Sequence, residues 1–158
     1  MQPTIAILNT AQPSPTSNPC QNLLEQGQQA IEEGAWEQAI NAFAQAYHMA
    51  ETLQLNPTES SPIDILLLAA GHLTQLFIHL KQPLEAEYSL TQAHLKLQQV
   101  CCDEYVPRKL RIDALSRLDE SLFALTAFLG QQGKLKDLKF HIAFTEQTAD
   151  YCQTSLWQ

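Results

Sequence analysis

Histidine and cysteine are the residues of this chain that could ligate a metal. His72 and His79 lie seven residues apart on one face of a predicted helix, and His94 precedes the adjacent Cys101 and Cys102. Helical zinc ligands usually lie three or four residues apart with a third ligand close by, so neither spacing is typical of a metal site. We therefore expect histidines that are packed or solvated, with no metal and no cofactor.

The cysteines are also poor candidates for nucleophilic catalysis. A reactive thiol needs a lowered pKa, which a neighbouring base or positive charge provides. Cys101 and Cys102 are instead followed by Asp103 and Glu104, whose negative charges raise a thiol pKa. The sequence also contains no glycine-rich phosphate loop, no GxSxG turn and no evident pair of catalytic acids. These observations predict a protein that is not an enzyme.

Charge is distributed unevenly along the chain, whose net charge is −8 at pH 7. Residues 1–80 contain seven acidic side chains and neither lysine nor arginine. Binding to nucleic acid or to an anionic membrane depends on those two basic residues, so both partners are disfavoured. A cluster of Arg108, Lys109 and Arg111 at a predicted helix start is expected to be a solvated surface.

The apolar segments of the chain are short or interrupted. Ile5–Leu8 follows no basic region, which does not fit a secretory signal. Ile63–Leu80 is the most apolar window, but five polar residues interrupt it, which favours a buried helix over a membrane span. The four cysteines have no regular spacing, as expected of reduced thiols. We therefore expect a cytoplasmic protein.

Helix signals dominate the organisation of the chain. Residues 1–19 are rich in proline, serine and threonine and predict an extended or disordered arm, followed by a single helical domain at 20–158. Asn18 and Ser61 each precede a proline, as at helix starts. Apolar residues then recur at spacings of three and four between proline and glycine breaks. The pattern predicts an all-α fold of about six helices in three antiparallel hairpins.

Small and large residues alternate along the helices of these predicted hairpins. Where two antiparallel helices cross closely, a small residue lets the backbones approach and large residues on either side interlock. In the first hairpin we expect Gly27 to face Ala39. The residues at repeating positions are Gly27, Trp36, Ala39, Phe43, Ala46, Ala86, Leu90 and Ala93.

The first hairpin resembles the tetratricopeptide repeat, and the other two resemble degenerate copies of it. Gly27, Ala39, Phe43 and Ala46 match the small and aromatic positions of that family. The repeat of that family is about 34 residues long. Ala39 and its counterpart Ala86 are further apart than one such repeat. The resemblance therefore implies an irregular α-α superhelix with long helices, and an irregular helical bundle is the alternative.

The resemblance also implies a function, which is protein binding without chemistry. In that family the first helices of successive hairpins line a concave groove that holds an extended peptide or a partner's helix. The matching positions carry no lysine or arginine, so we expect a neutral or basic segment as ligand, and an adaptor or scaffold role. The predicted groove residues are Gln28, Glu32, Gln75, His79 and Gln131.

Three alternatives remain open at this stage. The size, acidity and hairpin number also resemble a secretion-type chaperone for another protein. A small-molecule-sensing domain would need an apolar pocket near Phe77, Phe123 and Phe128. The apolar pair Leu156 and Trp157 predicts a docking surface or a homodimer through the C-terminal helix, and folding back over the core is equally allowed.

Overall fold

A computed structural model describes residues 18–54 and 61–157, and all the regular secondary structure of these residues is helical. The predicted all-α class is therefore confirmed. The predicted arm lies outside the described residues, apart from its last two, Asn18 and Pro19, which already begin the first helix. The helices are α1 (Pro19–Glu32), α2 (Trp36–Glu51), α3 (Pro62–His79), α4 (Pro83–Cys102), α5 (Arg108–Ser116), α6 (Leu118–Gln131) and α7 (Leu135–Trp157).

Two helices start where the local sequence predicts. The side-chain oxygen of Asn18 accepts a hydrogen bond from the Cys20 amide at 2.8 Å, and Pro19 occupies the first turn of α1. Ser61 caps α3 in the same way, because its hydroxyl oxygen accepts from the Ile63 amide at 3.3 Å. Both caps satisfy an amide that the helix itself leaves without a partner.

The predicted fifth helix is divided into α5 and α6. Arg117 lies between them, and its guanidinium pairs with Asp64 of α3 and with Glu120 of α6. The division lets α5 contact the end of α4 while α6 packs along α4 and α7. No glycine or proline marks the break in the sequence, which explains why helix periodicity alone missed it.

Consecutive helices pack against one another through the first half of the fold. α1 contacts α2, α2 contacts α3, and α3 contacts α4, while α4 also contacts α5, α6 and α7. Stacked hairpins and an irregular bundle both give this order of neighbours, so the superhelix stays a prediction.

The core between α1, α2 and α3 centres on Phe43. Its side chain is fully buried, and the ring of His72 stacks on it with centroids 4.5 Å apart. A Cβ atom added to Gly27 would lie only 2.6 Å from the Phe43 ring. The residue that requires a glycine at position 27 is therefore Phe43, and the expected packing of Gly27 against Ala39 stays a prediction.

The other repeating positions are packed to different degrees. Ala39, Ala46 and Ala86 are completely buried, and Ala93 is nearly so. Trp36 and Leu90 are partly buried.

Arg111 belongs to the second core, between α4, α5 and α7, and not to a solvated surface as predicted. Its side chain is buried, its Nε donates to the Cys101 carbonyl at 2.9 Å, and its Nη2 donates to Ser155 Oγ at 3.1 Å. Arg108 behaves differently, because it is exposed and lies 5.3 Å from the ring of Trp157. One buried arginine thus ties α5 to the ends of α4 and α7.

α3 is the one described helix that is long and apolar enough to cross a membrane, by length and composition only. Its mean hydropathy is 1.3 over 18 residues, and 44% of that stretch is buried inside the fold. The core helix of a soluble protein meets the same two criteria.

Candidate functional site

An open cleft of about 620 Å³ lies between α3 and the junction of α5 with α6. Its α3 side combines apolar and polar residues, and its other side carries the charged groups that meet at Arg117. The α3 wall of the cleft is therefore mixed and includes the charged Asp64, whereas the opposite wall is charged. Its lining residues are Asp64, Leu67, Leu68, Gly71, His72, Gln75, Arg117 and Glu120.

A stripe of four residues runs along the exposed side of α3, and we call it the α3 stripe: Leu68, Gly71, Gln75 and Ile78. Spacings of three and four place these residues on one helix face, over a rise of about 15 Å. Leu68 and Ile78 are both about half exposed, at 51% and 49%. The α3 stripe therefore presents apolar surface to solvent at both ends, with Gln75 between.

The α3 stripe leads from the cleft into a second depression, of about 370 Å³. Ile78 forms one side of this depression, and Phe128 and Gln131 of α6 form the other. Two of the five predicted groove residues thus line surface depressions, Gln75 the cleft and Gln131 the second depression. Polar side chains at these positions can hydrogen-bond to the backbone of a bound segment.

Gly71 lies in the middle of the α3 stripe. A Cβ atom added there would have no heavy atom within 4 Å, so no neighbouring group requires a glycine. Glycine inside a helix destabilises it by about 1 kcal/mol relative to alanine. Because Gly71 has no side chain, the cleft is wider at this position than it would be with any other residue.

The other three predicted groove residues are exposed but are not gathered in the cleft. The ring of His79 lies 4.7 Å from the ring of Trp36, which links the end of α3 to the start of α2. Gln28 and Glu32 are exposed on α1 and line neither the cleft nor the second depression. Of the predicted groove residues, Gln75 lines the cleft and Gln131 lines the second depression, and a groove shared by all five stays a prediction.

His94 lies inside the second half of the fold and is completely buried. Its Nδ1 lies 2.6 Å from Ser121 Oγ, and its Nε2 lies 2.8 Å from Thr145 Oγ1. The Ser121 hydroxyl donates to the Leu118 carbonyl, so Nδ1–H donates to Ser121 and Nε2 accepts from Thr145. Burial lowers the pKa of His94 to about 4, which keeps the ring neutral at pH 7. His94 therefore joins α4, α6 and α7 and is inaccessible to a substrate.

The cysteines of the second half form a buried cluster of free thiols. Cys102 Sγ and Cys152 Sγ lie 3.1 Å apart. Burial raises the pKa of the Cys101 thiol to about 12, and Cys102 adds to the rise. The predicted direction is present for the pKa of Cys101, but its causes are burial and the neighbouring Cys102 rather than the acidic residues that follow in the sequence. A thiol with so high a pKa is a poor nucleophile.

The three phenylalanines that the sequence predicts around one apolar pocket do not line the same cavity. Phe123 is 76% exposed, and Phe128 lines the depression beside Gln131. Phe77 lines a different cavity, between α2, α3 and α4. The two apolar residues near the end of α7 differ in exposure, because Leu156 is buried and Trp157 is 70% exposed.

Comparison with known proteins gives one match. Residues 20–153 match a family described as a protein of unknown function, DUF2753. No curated protein and no solved structure matches the chain. The family match begins within the first turn of α1 and ends within α7, so it includes the cleft, the second depression and both cores. The chain therefore belongs to the DUF2753 family.

Proposed function

We propose that this protein is a non-catalytic adaptor that binds a segment of another protein along the α3 stripe. The observation that carries the proposal is Gly71, a helix-interior glycine that no packing contact requires and that widens the cleft. Leu68 and Ile78 add exposed apolar surface on the same helix face. A bound segment would cover both and accept or donate hydrogen bonds at Gln75.

The chemistry of the partner segment follows from charge. The chain carries a net charge of −8, and its first 80 residues have no lysine or arginine. A neutral or basic segment avoids repulsion by this surface, and an acidic one does not. The single guanidinium in the cleft, Arg117, is already paired with Asp64 and Glu120.

The tetratricopeptide-like arrangement is part of the same proposal. In such an arrangement α3 and α6 are the first helices of the second and third hairpins, and their exposed sides form the concave surface. The α3 stripe and Gln131 of α6 would then lie on the surface that repeat proteins of this kind use to hold a peptide or a helix.

A pair of substitutions at one position tests the proposal. Gly71→Trp fills the cleft, whereas Gly71→Ala adds one methyl group to open space. Tagged wild type and both variants are used to capture partners from the native host, and the recovered proteins are quantified by mass spectrometry. We expect at least one partner that wild type and Gly71→Ala recover equally and Gly71→Trp loses.

Thermal unfolding provides the control for this experiment. Both variants should melt no lower than wild type, because position 71 is exposed and uncrowded. Equal recovery of every captured protein by Gly71→Trp and wild type would overturn the proposal. A double variant, Gln28→Ala with Glu32→Ala, tests separately whether the partner also contacts α1.

A further inference from the structure

A separate cavity of about 210 Å³ lies between α2, α3 and α4. It shares no lining residue with the α3 cleft, and its α3 residues Leu73 and Phe77 lie on the opposite face of the helix from the α3 stripe. Leu73 and Phe77 form an apolar wall together with Ile40 of α2. The cavity can therefore be occupied independently of the cleft.

Tyr47 gives this cavity an unpaired polar group. The residue is 8% exposed, and its hydroxyl is buried with no hydrogen-bond partner among the described residues. Burial raises the pKa of Tyr47, and the nearby Glu51 carboxylate and Tyr88 add to the rise. Tyr47 and both of these neighbours line the cavity. A buried hydroxyl without a partner is unfavourable, and a ligand in the cavity would supply one.

The charge of the lining indicates the sign of the ligand. Glu51 and Glu85 both line the cavity, and no lysine or arginine is among the described residues of its wall. His48 Nδ1 contacts a Glu51 oxygen at 3.2 Å at the exposed side. The rings of Phe77 and Tyr88 add faces that attract an organic cation.

We propose that this cavity binds a small primary amine that carries an apolar body. The ammonium group would donate to the Tyr47 oxygen and pair with Glu51 or Glu85, and the body would pack against Leu73 and Phe77. This site goes beyond the proposed adaptor function, since it lies on other residues and takes a different class of ligand. A cavity of this size suits a molecule no larger than an amino acid.

Two probes of nearly equal shape test the charge requirement. 2-Phenylethylamine carries an ammonium group, and 2-phenylethanol carries a neutral hydroxyl on the same body. Binding is followed by amide chemical shifts in a two-dimensional NMR titration of the full chain. We expect the amine to shift resonances of cavity residues such as Ser89 and to bind at least about tenfold more tightly than the alcohol.

Two variants test the residues, and a third is the matched control. Tyr47→Phe and the double change Glu51→Gln with Glu85→Gln should each weaken amine binding by about tenfold, because each removes a contact to the ammonium group. Tyr47→Phe should also raise the melting temperature of the free protein, since it removes the unpaired hydroxyl. Tyr105→Phe changes a tyrosine that is 99% exposed and should change neither quantity.

Three results would overturn the site. They are equal affinity for the amine and the alcohol, unchanged amine affinity in Tyr47→Phe, and no shift of cavity resonances by the amine at about 10 mM. None of them depends on Gly71 or on partner capture. Failure of this site and failure of the adaptor proposal are therefore distinguishable.

Discussion

Gly27 and Gly71 both lie inside helices, but their surroundings are opposite. At Gly27 a Cβ atom would lie 2.6 Å from the ring of Phe43. A larger residue at position 27 would therefore force α1 and α2 to change the way they cross. At Gly71 the same atom would meet nothing within 4 Å. The first glycine is explained by the fold, whereas the second leaves a surface open and needs an explanation outside the fold.

The comparison separates two kinds of region. Around Phe43 the helices interlock, and His72 covers the ring from α3. On the outer side of α3 the residues Leu68 and Ile78 are left half exposed, and the cleft between helices is unfilled. Substitutions should therefore change stability in the first region and partner binding in the second.

The largest effect on stability is expected from a substitution that creates a cavity in the core around Phe43. Phe43→Ala removes a completely buried ring and leaves a cavity between three helices. The free energy of unfolding should fall by about 3–5 kcal/mol. Urea unfolding followed by circular dichroism measures it, and a loss below about 1 kcal/mol would mean that Phe43 is not the centre of this core.

Overfilling the same region should have the next largest effect. Gly27→Ala places a methyl group against the Phe43 ring and should lower the free energy of unfolding by about 1–3 kcal/mol. The loss should shrink or reverse when Phe43→Leu is already present, because the shorter side chain relieves the contact. Additive losses in this double-mutant cycle would contradict direct contact between the two residues.

The smallest effect, and one of opposite sign, is expected at the open region. Gly71→Ala adds a methyl group to free space and removes the entropic cost of glycine in a helix. The free energy of unfolding should rise by up to about 1 kcal/mol. Destabilisation by Gly71→Ala would show that the position is crowded and would remove the contrast with Gly27.

Local signals made much of this fold predictable from the sequence. Asn18 and Ser61 cap helices because their own side chains satisfy amides two residues later, which depends on nothing distant. The break at Arg117 was missed because it accompanies an ion pair with Asp64, a residue far away in the sequence. Burial of Arg111 is not evident from the sequence, because one of its partners is a main-chain carbonyl and the other, Ser155, is 44 residues away.

The candidate sites were predictable only in part. Aligning the hairpins selects Gln75 and Gln131, each of which lines a surface depression, but a role for either residue in partner binding stays a prediction. Gly71 was missed since a glycine in an apolar run looks the same whether or not a neighbour requires it. The sequence also could not predict that the Tyr47 hydroxyl lacks a hydrogen-bond partner among the described residues, because such partners are known only once the surrounding helices are placed.

The most direct test of the central claim is site-specific photo-crosslinking in the native host. A photoreactive amino acid replaces Gln75, which lines the cleft, or Tyr105, which is 99% exposed and lies outside it. The adaptor account predicts a discrete covalent adduct with another protein from position 75 and none from position 105, and loss of that adduct when Gly71→Trp is also present. No adduct from position 75, or the same adduct from both positions, would contradict it.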